Sequence, residues 1–304
     1  MPGRHLGQVT TLRFQSRSLF AATASAGVLL AAGSASAEMQ FLLQDRDVAR
    51  MVSLGGSCNR CELSGRNLSG ATFAGATFVS ATLVGVNLRG AELVGSNFSA
   101  SDFTRADLHG ARMEGSNFTA SRFNSAVLTG AEAQGSNFSR ADLSQANLSG
   151  AELVGANMNA AVLTRANLSG AELYGTTLAN VSAHNANFSD AGMIAANMTG
   201  GDFASASFVN AELDGSRLTG AIFARANFAG ASLNRADIRG ADLSRATGLT
   251  QAQISTACAD ASTRLPGRLS ARACTRMIVG APPRPPVPPV PPQSRRNVVI
   301  ADAN

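Results

Sequence analysis

The chain has 304 residues, 45% of them hydrophobic, which is enough to bury a sizeable core. Aromatics make up only 5%, with no Trp and one Tyr, so that core must be mostly aliphatic and small. The formal net charge of +5 is carried entirely by Arg, yet residues 58–247 hold 13 Arg against 15 acids, which excludes the concentrated basic face of a nucleic-acid binder.

Residues 1–37 come first. Arg4, Arg13 and Arg17 form a positive stretch, and Leu19 to Gly33 is a short Ala/Leu-rich apolar run. Ser34-Ala35-Ser36-Ala37 ends in the A-x-A form that signal peptidase cuts. The apolar run is about 15 residues, too short to span a bilayer. The pattern predicts a signal peptide cleaved after Ala37 and a periplasmic or secreted protein. Without a twin-Arg pair, the general secretory route is expected. Removing the three Arg brings the net charge near +2.

Residues 38–57 carry Phe41, Leu42, Val48, Met51 and Val52 at amphipathic-helix spacing. They are read as a helical N-terminal cap.

Residues 58–247 obey a period of five. From Leu63 to Leu243 every fifth residue is Leu, Phe, Met or Ile, except Ala133 and Ala183. Two residues before each stands a small one, as at Ala71, Ala76, Ala91, Ser96 and Ser101. One residue before, Asn and Asp dominate, as at Asn67, Asn97, Asp102 and Asn117. Neither the helical period of 3.6 nor the strand period of 2 fits. The unit A-(N/D)-(L/F)-x-x resembles the pentapeptide repeat proteins. That resemblance implies a right-handed quadrilateral β-helix with four repeats per coil. It places the apolar centre and the small residue inside and the other three positions in solvent.

A second period of 20 supports four-sided coils. GAELVGSNFS at 90 returns as GARMEGSNFT at 110, GAEAQGSNFS at 130 and GAELVGANMN at 150. Residues 20 apart should then stack. A core ladder of Phe78, Phe98, Phe118 and Phe138 follows, and another of Leu88, Leu108, Leu128, Leu148 and Leu168. Gly columns at 90–170 and 95–175 suit corners. About nine coils at the strand spacing would make a rod of roughly 45 Å.

A solenoid's open ends need covering. Thr250-x-x-Gln253 is a capping-box pattern that should open a short helix through Ile254 and Ala257. Pro266 and Gly267 should break it, with further helix over 268–278. Residues 248–279 are thus read as a helical C-terminal cap. APPRPPVPPVPP then marks 280–304 as a Pro-rich tail without helix or sheet, a tether or a docking segment.

Four Cys in an exported chain predict disulfides. Cys58 and Cys61 sit at the first coil, Cys258 and Cys274 beyond the last. The rod would separate the pairs far beyond bridging distance, so Cys58–Cys61 and Cys258–Cys274 are the expected bridges. A redox C-x-x-C needs its first Cys exposed at a helix N-terminus, and zinc needs two more ligands. Neither suits this place.

The sequence offers no constellation for catalysis. His109 and His184 fall several coils apart, and the Gly residues are spaced by five instead of clustered in a phosphate loop. No cofactor or metal is expected. One surface column stands out: Glu92, Glu132, Glu152, Glu172 and Glu212, interrupted by Arg112. It is either a solvated face or a strip for a cation or basic partner. Beside it, Asn97, Asn117, Asn137, Asn157 and Asn197 should form a hydrogen-bonded ladder. The overall reading is a non-enzymatic exported scaffold or protein-interaction module of the bacterial envelope, with an unidentified protein partner, no nucleic acid, and a possible homodimer. The alternative is a DNA mimic that binds DNA gyrase or another nucleic-acid-binding protein, as some members of the resembled family do. The signal peptide and near-neutral repeats weigh against it.

Overall fold

A computed structural model describes residues 56–271 and 273, all within one compact unit. The expected signal peptide, residues 38–55 of the expected N-terminal cap, Cys274 and the Pro-rich segment lie outside the described residues.

The five-residue unit builds one side and one corner of a square coil, and where Asn fills the slot before the apolar centre each of its five amides can have a defined acceptor. Gly115 to Thr119 shows the pattern. Three amides point along the stack: Gly115 N–H to the Gln134 carbonyl at 3.0 Å, Asn117 N–H to Ser96 at 2.8 Å, and Phe118 N–H to Asn137 at 2.7 Å. A fourth closes the corner, Ser116 N–H to the Met113 carbonyl at 3.1 Å. The fifth, Thr119 N–H, has no carbonyl in reach and takes the side-chain Oδ1 of Asn117 at 3.0 Å. Asn and Asp recur at this slot because a short side-chain acceptor satisfies that amide two residues on.

The stacking is a parallel ladder in which each bridged residue pairs with the one 20 later, from Ser57–Thr77 to Asn227–Thr247. The result is a four-sided β-helix. At each corner one residue turns left-handed, with φ near +60°. Gly takes this place at Gly130 (61°) and Gly150 (63°), while Arg105 (58°), Ala120 (57°) and Arg165 (59°) take it elsewhere. A residue with a Cβ costs about 1–2 kcal/mol more than Gly there, so non-glycine corners require another explanation than backbone preference.

The inside is dry and ordered in columns. Phe78, Phe98, Phe118 and Phe138 are fully buried, with successive ring centroids 5.2, 5.8 and 5.1 Å apart and nearly parallel planes. The adjoining column Phe103–Phe123 stacks at 4.7 Å and meets the first edge-on. Leu88, Leu108, Leu128, Leu148 and Leu168 are all buried. Buried hydroxyls at the small slot are satisfied, as where Ser121 Oγ donates to the Phe98 carbonyl at 2.7 Å. Cys58 and Cys61 pack half-buried against this core and are bonded to each other, with Cα atoms 5.6 Å apart. Cys258 is also disulfide-bonded.

The C-terminal end departs from the helical expectation. Helix α1 is only Gln251–Ser255; its N-cap Thr250 and Gln253 form the capping box, and Ile254 is buried. Beyond it the chain resumes the ladder: Cys258 bridges Asp237, Arg264 bridges Asp242, and Ala273 bridges Ala259. Residues 268–271 are not helical. The reason is hydrogen bonding. The coil at 236–243 presents open N–H and C=O groups, and Cys258 and Arg264 bond to them at 2.7–2.9 Å, which no helix could do.

Candidate interaction face

The acidic column occupies one side of the coil. Glu132, Glu152 and Glu172 are bridged in succession. Gly90, Gly110, Gly130, Gly150 and Gly170 form one bounding edge, and Gly95, Gly115, Gly135, Gly155 and Gly175 the other. A Cβ built on any of them meets nothing within 4 Å. Packing therefore does not demand glycine, and the effect is a side with bare rims.

The two halves of this face differ in charge balance. In the lower half Arg112 reaches three carboxylates: Glu114 at 3.0 Å, Glu92 at 3.4 Å and Glu132 at 3.6 Å. The hydrogen bond that Arg112 donates to Glu114, followed by the nearby charges, raises the Arg112 pKa. In the upper half no cation reaches Glu152, Glu172 or Glu212 among the described residues. Gln134 Nε2 donates to Glu152 Oε2. Even so, desolvation, followed by repulsion from Glu172, Glu132 and Glu114, pushes the Glu152 carboxyl upward.

Tyr174 interrupts the strip. The column has Gly192 where another Glu would fall, and the Tyr174 ring lies over it; a Cβ on Gly192 would stand 2.6 Å from the phenol oxygen. Partial burial, followed by Glu212 and Glu172, raises the phenol pKa. Tyr174 and its stacked neighbour Ile194 are each 37% exposed, two of the three exposed large hydrophobics among the described residues. The upper face thus combines uncompensated carboxylates with an apolar seat. Sequence reading found the Glu column but missed Tyr174, Gly192 and Glu114. The signal was present: the only Tyr stands one coil before a Gly that breaks the column beside it.

Other candidate residues are dispersed. His109 Nδ1 lies 2.7 Å from Thr129 Oγ1, and His184 Nε2 lies 2.8 Å from Asp202 Oδ2, on different sides of the coil. Among the described residues no group of His, Cys, Asp and Glu could hold a metal ion, and no helix is long and apolar enough to cross a membrane. The Asn column is less a ladder than expected. Asn97, Asn117, Asn137, Asn157 and Asn197 each accept from the amide two residues on at 3.0–3.2 Å. Within this column the side-chain link runs only from Asn117 to Asn97, at 3.2 Å.

On the opposite corner from the Gly175 edge stand Arg105, Arg165 and Arg225, all exposed. Arg105 and Arg165 have no ion-pair partner among the described residues, and Arg225 bonds only the Ser205 hydroxyl, at 3.3 Å.

Among solved structures, the chain is similar to HetL, a pentapeptide repeat protein involved in heterocyst differentiation regulation from Nostoc sp. strain PCC 7120. The identity is 25% over 66% of this chain and 95% of that one, with a TM-score of 0.41. It is similar to QnrB1, a plasmid-mediated fluoroquinolone resistance protein, at 18% over 67% and 91%, TM-score 0.37. It is also similar to Rfr23, a pentapeptide repeat protein from Cyanothece 51142, at 24% over 43% and 89%, TM-score 0.30. No curated protein matches. The profile of pentapeptide repeats matches in 8 copies between residues 57 and 247, most of the chain's length, and the chain belongs to the pentapeptide repeat family.

Proposed function

We propose that this protein is a non-enzymatic, exported scaffold of the bacterial envelope that binds a protein partner along the upper half of its acidic face. Pentapeptide repeat proteins fold as right-handed quadrilateral β-helices and serve in general as structural or interaction modules. The observation that carries the reading is the set of Glu152, Glu172 and Glu212, which lack a cation among the described residues, with Tyr174 beside the last two. Like charges held together in a fold cost stability unless something binds them. The N-terminal signal pattern and the four Cys support export, with both expected disulfides formed in an oxidising compartment. About nine coils form the rod. The segment from Thr250 covers its last coil.

Two measurements test this. Fractionation of expressing cells should find the chain outside the cytoplasm, cut after Ala37; an uncut cytoplasmic protein would sink the envelope reading. The triple variant Glu152→Gln/Glu172→Gln/Glu212→Gln should lose the partner captured by the wild type. A DNA-mimic reading would gain from an uncut cytoplasmic chain that binds gyrase, but the Arg105–Arg225 edge makes this rod a poor copy of a uniformly acidic duplex.

A further inference from the structure

The carboxylates and the arginines share one period. Glu92, Glu152 and Glu212 recur every 60 residues on the acidic face. Arg105, Arg165 and Arg225 recur every 60 residues on their corner. Each Arg follows its Glu by 13 residues. Three coils separate successive members of both sets, roughly 14 Å at the strand spacing. On one chain the two sets lie on different sides and do not meet. Two rods laid side by side and parallel can bring every member of one set to a member of the other.

We propose that Glu152 and Glu212 on the upper face of one copy, with Glu172 between them, receive Arg165 and Arg225 on the edge of a second copy. Charge complementarity selects this occupant: among the described residues the edge is exposed cation without a partner carboxylate, and the face is carboxylate without a cation. Shape agrees with charge. Around Glu152 and Glu172 both rims are glycine with open space above them, so a projecting corner can approach. The Arg corners stand at the turn of the coil, with φ near +60°, and so project from the rod. Tyr174 adds an aromatic surface on which a guanidinium can rest. Because face and edge are different surfaces, the contact is heterologous. Each added copy leaves one face and one edge free, and association continues laterally.

The inference names the partner of the face proposed above, and it can fail separately. Sedimentation of the full chain should show a weight-average mass that rises with concentration at about 0.01 M salt, where the Debye length is about 30 Å, and falls to the monomer at about 1 M, where it is about 3 Å. Arg165→Glu/Arg225→Glu should be monomeric at low salt, and so should Glu152→Arg/Glu212→Arg. Mixed in equal amounts, the two should associate again, because each reversed surface finds its complement. A wild type that stays monomeric at low salt, or a mixture that does not associate, overturns the inference. If the wild type is monomeric while the Glu152→Gln/Glu172→Gln/Glu212→Gln variant still loses a captured protein, the face binds another partner and only the second copy is excluded. All five substituted positions lie on the outside of the coil, and circular dichroism identifies any variant that misfolds.

Discussion

Single residues in this repeat depart from their slot where a neighbouring coil requires it. Gly201 occupies the small inward slot that Ala fills most often and Ser next. A Cβ there would stand 2.6 Å from the Phe203 ring and 3.2 Å from Val181. Phe203 is fully buried between Phe188, Phe208 and Phe223 and cannot move aside. Gly201→Ala restores the repeat consensus yet should destabilise by about 1–3 kcal/mol, the cost of overpacking; the midpoint of urea unfolding measures it, and a gain in stability would refute the packing account. Glu152 is the opposite case, a half-buried carboxylate held among its own kind. Its carboxyl is raised by desolvation and by its acidic neighbours, so the folded state holds the proton more tightly than the unfolded chain. Stability must then fall as pH rises through the window above the ordinary Glu value of 4.5. Glu152→Gln should raise the melting temperature at neutral pH, with the difference closing below that window.

At the level of the element, the question is how a five-residue unit satisfies five amides. Sequence reading recovered the inward centre, the small slot and the corner, because each leaves a hydrophobic or glycine signature. It read Asn as a ladder because identical stacked side chains suggest one. The amide that Asn117 serves, on Thr119, is invisible until the corner is built. The same blindness explains the C-terminal end. Thr250 and Gln253 announced a helix correctly, but the return of Cys258 and Arg264 to the ladder follows from open backbone groups on residues 236–243, which carry no side-chain mark. Asp260 secures that return. Its Oδ1 accepts from the Ser262 hydroxyl at 2.7 Å and from the amides of Ser262 and Gly240 at 3.0 and 3.1 Å. The Ser262 hydrogen bond first, with those from Gly240 and Thr263, holds the carboxyl down to about 2. The folded pKa is depressed, so the stabilisation is present above the ordinary value of 3.8 and is lost as pH falls toward about 2. Asp260→Ala should therefore unfold more easily at neutral pH and lose its deficit in acid. Hydrogen exchange at Gly240 should quicken in the same variant, and an unchanged Gly240 amide would remove Asp260 from this role.

The whole molecule is governed by two periods with different physical origins, and deletions can separate them. The period of five is enforced by the backbone: it keeps apolar centres inside and amides paired along the stack. The period of 20 is enforced by side chains: it keeps Phe on Phe, Gly corner on Gly corner and Glu152 between Glu132 and Glu172. Removal of residues 131–150, one full coil, preserves both periods. Met158 then takes the seat of Phe138 over Phe118, and Glu152 stacks on Arg112. Removal of residues 131–135 preserves only the first. Every later residue then turns by one side, Phe138 lands over Met113 instead of Phe118, and Glu152 leaves the acidic face for the side that holds Asp107 and Val127. Aromatic pairs contribute about 0.5–1.5 kcal/mol each beyond their burial, and glycine corners would be set against bulkier ones. The smaller deletion should therefore cost more stability than the larger, although it removes only one side of a coil instead of all four. If the five-residue deletion melts at or above the temperature of the 20-residue deletion, the columns are not what stabilises the rod, and its order of 20 would be a trace of duplication that the fold does not need.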